Sequence, residues 1–201
     1  DIGIKGGKIV VVKKEITSSA ETTIDAKGKY VLPGVIDPHT HMELPLMATT
    51  SADDFEAGTI AAAFGGVTTI LDFATQPKGK TLLKTIELRR RKADPKVVID
   101  YSLHAAVTDL TEERLAEIPE VLDYGVTSFK LFMTYRRRGM ISEDWQILEM
   151  LRASRDREFL VQVHAENPSI EEYLQQKHLK EGKTSADYHF KSKPNFVEGE
   201  A

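Results

Sequence analysis

From Val35 to about Lys180 the chain repeats one pattern, an apolar strand, a loop and an amphipathic helix, and this repeat restricts the fold more than anything else in the sequence. Strands separated by helices pair in parallel through crossover connections, since a tight turn cannot join parallel neighbours. Strands are expected from Val35, over Val67 to Phe73, Val97 to Ala105, Val126 to Met133 and Phe159 to His164. Between them, Ser51-Ala52-Asp53-Asp54 has the form of a capping box, opening a helix whose Ile60, Ala61 and Phe64 share a face and which stops at Gly65-Gly66. Thr81 caps a second helix, with Leu82, Leu83 and Ile86 together and a basic exposed face, ended by Asp94-Pro95. A third begins at Thr111 and is interrupted by Pro119. A fourth begins at Ser142 and carries Trp145, Leu148 and Leu151 on one side. A fifth opens at Pro168 with Ile170, Tyr173 and Leu174. Beyond Lys180 the chain reads as polar and loop-like.

A closed (β/α)8 barrel of the TIM type needs eight strands and about 250 residues. The 201 residues therefore read as an α/β chain holding about the first five strand-helix units of such a barrel. A doubly wound open sheet is the alternative, but no Gly-x-Gly-x-x-Gly follows the first strand. Residues 1–32 differ: Ile2 and Ile4 alternate with polar neighbours, Gly6-Gly7 supplies a hairpin turn, Lys8 to Val12 forms a second strand, and Ile24 and Tyr30-Val31-Leu32 belong to later ones. That segment is too short for a domain of its own, which divides the chain into 1–32 and 33–201. It begins in strand-like alternation, as though an earlier strand preceded it, and shows no signal-peptide pattern.

The strand Val35-Ile36-Asp37-Pro38-His39-Thr40-His41 ends in two histidines. Strand side chains alternate faces, so His39 and His41 point one way and Thr40 the other. Two imidazoles on one face are half of a divalent-metal site. With no cysteine in the chain, any metal must be held by His and oxygen donors, a composition that also suits a cytosolic protein. Lys130 lies inside the apolar run Ser128 to Met133, where an ammonium is costly to bury; a lysine there can lose its proton and take up carbon dioxide to become an anionic oxygen donor. His164 ends the fifth strand at the level of the first pair. Each has an ordinary alternative, a packing pair, a snorkelling lysine and a hydrogen-bonded histidine, but strands one, four and five converge on one mouth, the end where barrels keep their chemistry. A net charge of −4 and a pI near 5.9 speak against a nucleic-acid partner, the triplets 89–91 and 136–138 of arginine reading as solvated, and no membrane span is visible.

Four segments carry a resemblance: Leu32 to His41, Ala63-Phe64-Gly65-Gly66-Val67-Thr68, Thr127 to Tyr135, and Val163-His164-Ala165-Glu166-Asn167. Together they resemble the dihydropyrimidinase and D-hydantoinase family of cyclic amidohydrolases, over essentially the whole chain and as its N-terminal portion. The resemblance implies a binuclear, usually zinc, centre. His39 and His41 would hold one metal, His164 would help to hold the other, and carboxylated Lys130 would bridge them. Tyr135 would donate to the substrate's amide oxygen as negative charge develops. A metal-activated hydroxide would open a cyclic ureide or imide ring. It also implies that residues 1–32 are part of a small β-sandwich domain built by both chain ends, that the protein is a cytoplasmic homo-oligomer, a tetramer, and that a further His and an Asp ligand come from later strands not seen here. His104 has no ligand role in the motif and is expected behind the ligands or in packing; His178 and His189 are not ligands. Dihydroorotases and allantoinases carry an arginine two residues after the second histidine; Glu43 stands there instead, favouring an uncharged ring substrate. The collapsin response mediator proteins, oligomeric binding proteins of this fold that have lost metal ligands, are the non-catalytic alternative.

Overall fold

The computed structural model describes residues 1–46 and 48–201, which divide into two compact units, Asp1–Pro33 and Gly34–Ala201. In the first, β1 (Ile2–Lys5) and β2 (Lys8–Val12) pair antiparallel across Gly6-Gly7, whose φ angles of 58° and 73° are the left-handed geometry a two-residue hairpin turn requires. Ile24 and Tyr30-Val31-Leu32, expected in later strands, lie in none, and all four are exposed, Tyr30 at 95%. The single hairpin of this unit offers them no strand to pair with, and β-propensity alone does not make a strand.

The second unit begins with β3 (Val35–Thr40), followed by a short antiparallel ladder of β4 (Pro45–Leu46) with β5 (Thr49–Thr50). Then come α1 (Phe55–Phe64), β6 (Val67–Thr75), α2 (Leu82–Ala93), β7 (Asp100–Ala106), α3 (Glu112–Ala116), α4 (Ile118–Asp123) and β8 (Ser128–Phe132). A 3-10 turn at Arg136–Arg138 leads to α5 (Asp144–Arg157), β9 (Leu160–His164) and α6 (Pro168–Lys180). The segment read as loop-like instead forms α7 (Ala186–Lys191) and α8 (Asn195–Glu200). Lys193, between them, is drawn against the carboxylates of Glu166 and Glu171, a tertiary tie that local polarity does not reveal.

The five long strands form one parallel sheet in the order β3-β6-β7-β8-β9. Strand order that follows chain order is barrel order; a doubly wound sheet would reverse at a switch point. The sheet is the curled first part of a (β/α)8 barrel. Its convex face carries Ile70, Ala74, Leu103, Ala105, Phe129 and Leu131, buried under helices that contribute Leu82, Ile86, Ile118, Val121 and Met150. Asp54, rather than Ser51, caps α1, accepting from the Ala57 N–H at 2.8 Å, and Thr81, Thr111 and Asn167 cap α2, α3 and α6. The buried face of α1 is Phe55, Gly58 and Thr59, not Ile60 and Phe64, which point outward: Phe55 is the residue met by Arg89 and Tyr101 of neighbouring elements. Among the described residues no helix is long and apolar enough to cross a membrane.

Phe129 is fully buried, its ring meets that of Phe159 at the start of the next strand at 4.8 Å, and it shares one apolar cluster with the helix residues Ile118, Val121 and Met150. Phe129→Ala should lower stability by about 3–5 kcal/mol and Phe129→Leu by under about 1.5 kcal/mol, read from chemical denaturation of the two variants.

Candidate functional site

Register decides which side chains share the concave face. The β6–β7 ladder sets Phe73 beside His104, β7–β8 sets Ala106 beside Lys130, and β8–β9 sets Lys130 beside Gln162 and Phe132 beside His164. Partners in register point to the same side. His104, Lys130, Gln162 and His164 therefore stand opposite the apolar layer of Leu103, Phe129 and Leu131.

β3 joins this face through a bulge. Asp37 pairs with Ile70 and Thr40 with Asp72, so three steps on β3 match two on β6, at the point where Pro38 has no N–H to give. His39 and His41 emerge on the same side, their rings 5.0 Å apart and both packed on Phe73, at 4.6 and 4.9 Å. Burial lowers the pKa of His39, and the charges of Lys130, His104 and His164 lower it further. Burial and then the charge of His39 lower that of His41. Both rings are thus biased to the neutral form, which is the form that binds metals. Lys130 is 8% exposed, and burial alone pulls its ammonium pKa down. A lysine so placed is the kind that can lose its proton and be carboxylated.

His164, at the end of β9, is half-buried, with Nε2 3.6 Å from Glu166 Oε2 and its ring 5.1 Å from that of Tyr135. Tyr135 follows β8 in the left-handed region, at φ 63°, an uncommon conformation for an aromatic residue that holds its ring between Phe132, His164 and the Arg138 guanidinium. Among the described residues, no three His, Asp or Glu side chains converge as a metal-holding group. The chain thus brings His39 and His41 together on the concave face that also carries Lys130, within reach of its charge, and His164 together with Tyr135.

Further polar residues surround these, of which the sequence reading places only His104. His104, expected behind the ligands or in packing, is 3% exposed and hydrogen-bonds Ser128, Gln162 and the Pro38 carbonyl. Ser128 and Gln162 sit two residues before Lys130 and His164, so alternation within those runs was the available signal. Asp72, a fully buried carboxylate on β6, is bound by Arg89 at 2.5 and 2.8 Å. Arg89 belongs to the triplet read as solvated; it turns inward because an unpaired buried Asp72 would be far costlier than the pair. Glu43, at φ 45°, gives its carboxylate to Lys96 at 2.5 Å and Lys92 at 3.6 Å, and the Lys96 hydrogen bond keeps its pKa low. Its charge is therefore taken up by these lysines, and the substrate class must rest on other grounds.

Behind Tyr135 and His164 lies a second polar cluster. The Thr134 hydroxyl donates to Glu171 at 2.8 Å, and Lys193 bridges Glu171 and Glu166.

The parallel sheet runs in barrel order and presents His-x-His at the end of its first strand, the end at which such barrels carry their functional side chains. The profile of the amidohydrolase family matches residues 30–193, and the chain belongs to that family. It is 45% identical to a D-hydantoinase of Geobacillus stearothermophilus over all of its own length and 43% of that protein's, and 39% identical to a dihydropyrimidinase of Rattus norvegicus, of which it covers 40%. A crystal structure of a D-hydantoinase superimposes with a TM-score of 0.94 at 45% identity, over the whole of this chain and 44% of that one. The chain thus spans under half the length of the relatives it matches, in keeping with an N-terminal portion of such a protein.

Burial raises the Glu171 pKa, but hydrogen bonds from Lys193 and Thr134 outweigh it and leave the carboxyl below its ordinary value. A depressed carboxyl stabilises the fold above the unfolded pKa of about 4.3 and loses that contribution as pH falls through the folded value. Melting temperature should therefore drop more steeply below about pH 4.3 in the wild type than in Glu171→Gln, a difference that parallel pH–Tm series would read.

Proposed function

We propose that this chain supplies the first strands and part of the metal centre of a cyclic amidohydrolase that hydrolyses dihydropyrimidines or 5-substituted hydantoins to N-carbamoyl amino acids. The observation that carries the reading is the pair of neutral-biased imidazoles, His39 and His41, on the same concave face of a barrel sheet as the desolvated Lys130. The names of the relatives support the substrate class. His39 and His41 would hold one divalent cation, His164 would contribute to a second, and Lys130, as its carbamate, would join the two. Zinc is the proposed metal. When bound, the two cations would supply a water of near-neutral pKa and Lewis acidity toward the ring carbonyl.

The chain's own residues orient the site. Phe73 backs both histidine rings and limits their rotation. The left-handed turn at Tyr135 sets its phenol beside His164, from where its O–H donates to the substrate's carbonyl oxygen as that oxygen gains charge. Residues 1–32 are proposed to be part of a small β-sandwich domain, 33–201 the N-terminal portion of the catalytic barrel, and the whole protein a cytoplasmic homotetramer. The remaining His and Asp ligands would come from later strands.

Metal analysis of the full-length protein, with turnover of dihydrouracil and hydantoin side by side, tests the reading; neither metal nor turnover would leave a non-catalytic binding protein of the same fold. Lys130→Ala should empty or disorder the centre and abolish ring opening, with partial recovery in high concentrations of a short carboxylic acid that replaces the oxygen bridge. Full metal content and rate in Lys130→Ala would remove the bridging role. Tyr135→Phe should retain metal and lose about 10²–10³-fold in kcat, as expected for one oxyanion donor.

A further inference from the structure

The bulge that aims His39 and His41 interrupts the ladder between Asp37 and Thr40, where β3 ends, and side chains hold the segment from Pro38 to Met42 on both faces of the sheet. From the concave side, His104 Nε2 lies 2.8 Å from the Pro38 carbonyl. A carbonyl only accepts, so Nε2 carries the proton, and Nδ1 is left to accept from the Ser128 hydroxyl and from Gln162 Nε2 at 3.0 Å. His104 is thereby set as one tautomer with all its ring positions used. From the convex side, Asp72 Oδ2 accepts the Met42 N–H at 2.7 Å, while the Arg89 guanidinium, paired with the other oxygen of Asp72, donates to the Met42 carbonyl. The residue after His41 is thus held by both of its backbone polar groups. The intervening Thr40 is tied through its hydroxyl to Leu71 O at 3.2 Å.

We infer that His104 and the Asp72–Arg89 pair are positioning residues, a two-sided clamp at Pro38 and Met42 that sets where the His39 and His41 rings stand and hence the affinity of the site for its metal. The inference rests on the metal-binding reading of His39 and His41. A purely structural role predicts otherwise: replacing a buried ion pair by apolar residues of similar volume is often neutral or stabilising. The double variant Asp72→Leu/Arg89→Met should keep the fold while freeing the Met42 backbone.

The test measures zinc affinity of the full-length protein by chelator competition, alongside the melting temperature of its metal-free form. Asp72→Leu/Arg89→Met and His104→Phe should melt near the wild type and bind zinc about 10–100-fold more weakly, the range for residues that orient metal ligands. His104→Gln, whose amide can donate to Pro38 and accept from Gln162, should recover to within about threefold, as a hydrogen-bonding role requires. Wild-type zinc affinity in both the double variant and His104→Phe, with His41→Ala binding none, would overturn the clamp while leaving the metal reading intact. Weaker zinc binding matched by an equal loss of stability in the metal-free form would also overturn it, assigning these residues to the fold alone. Undiminished zinc affinity in His41→Ala would overturn the metal reading and the clamp with it.

Discussion

The ladder between β6 and β7 runs through seven consecutive pairs, from Thr69 with Asp100 to Thr75 with Ala106, without a break in register. Because the side-chain period along a strand is two, that unbroken ladder assigns every residue of both strands to one face or the other, and a slip of one residue would exchange the faces. It puts Leu103 and Ala105 under the helices and His104 in the concave face beside Phe73. The shorter ladders to β8 and β9 carry the same assignment outward to Lys130, Gln162 and His164. Core and candidate site are thus two sides of one hydrogen-bonding pattern, and the apolar packing of the convex side keeps the polar side in place.

Where β3 meets this sheet the regularity is given up. The extra residue between Asp37 and Thr40 re-aims the histidines, and it leaves backbone groups without ladder partners. These groups, on half-buried Met42 and on exposed Pro38 and His41, are met by side chains from elsewhere in the chain: Asp72 and Arg89 for Met42, His104 for Pro38, Ser51 for the carbonyl of His41 at 3.0 Å. Asp72 and Arg89 would be a poor choice for stability alone, since desolvating two charges offsets most of their attraction. Their place, at the residue following His41, gives the charged pair a geometric use.

Lys130 and Glu171 show how the same burial has opposite results according to partners. Burial alone acts on Lys130, and its pKa falls. Glu171 is desolvated too, but Lys193 and Thr134 donate to it and its anionic form wins. The first is a group whose charged form is disfavoured; the second is a fixed anchor for the turn that carries Tyr135.

Much of the fold and half of the candidate site were legible in the sequence. Five apolar strand runs separated by capped helices imply a parallel sheet, and His39, His41, Lys130 and His164 stand out because, although each has an ordinary use alone, imidazoles and an ammonium on strands that converge on one mouth form an unusual group. These are local signals, carried by periodicity and by residue type within a few positions. The contributions of Asp72, Arg89, Gln162 and Lys193, the inward face of α1 and the tail helices were not legible, because each depends on a partner 17 or more residues away or on which side of an element meets the sheet. The sequence by itself determined the alternation of strands and helices and the chemical character of the strand ends. Only the tertiary structure decided which charges are paired and which backbone groups are held, because burial and partnership are properties of contacts across the sheet and not of the chain's local order.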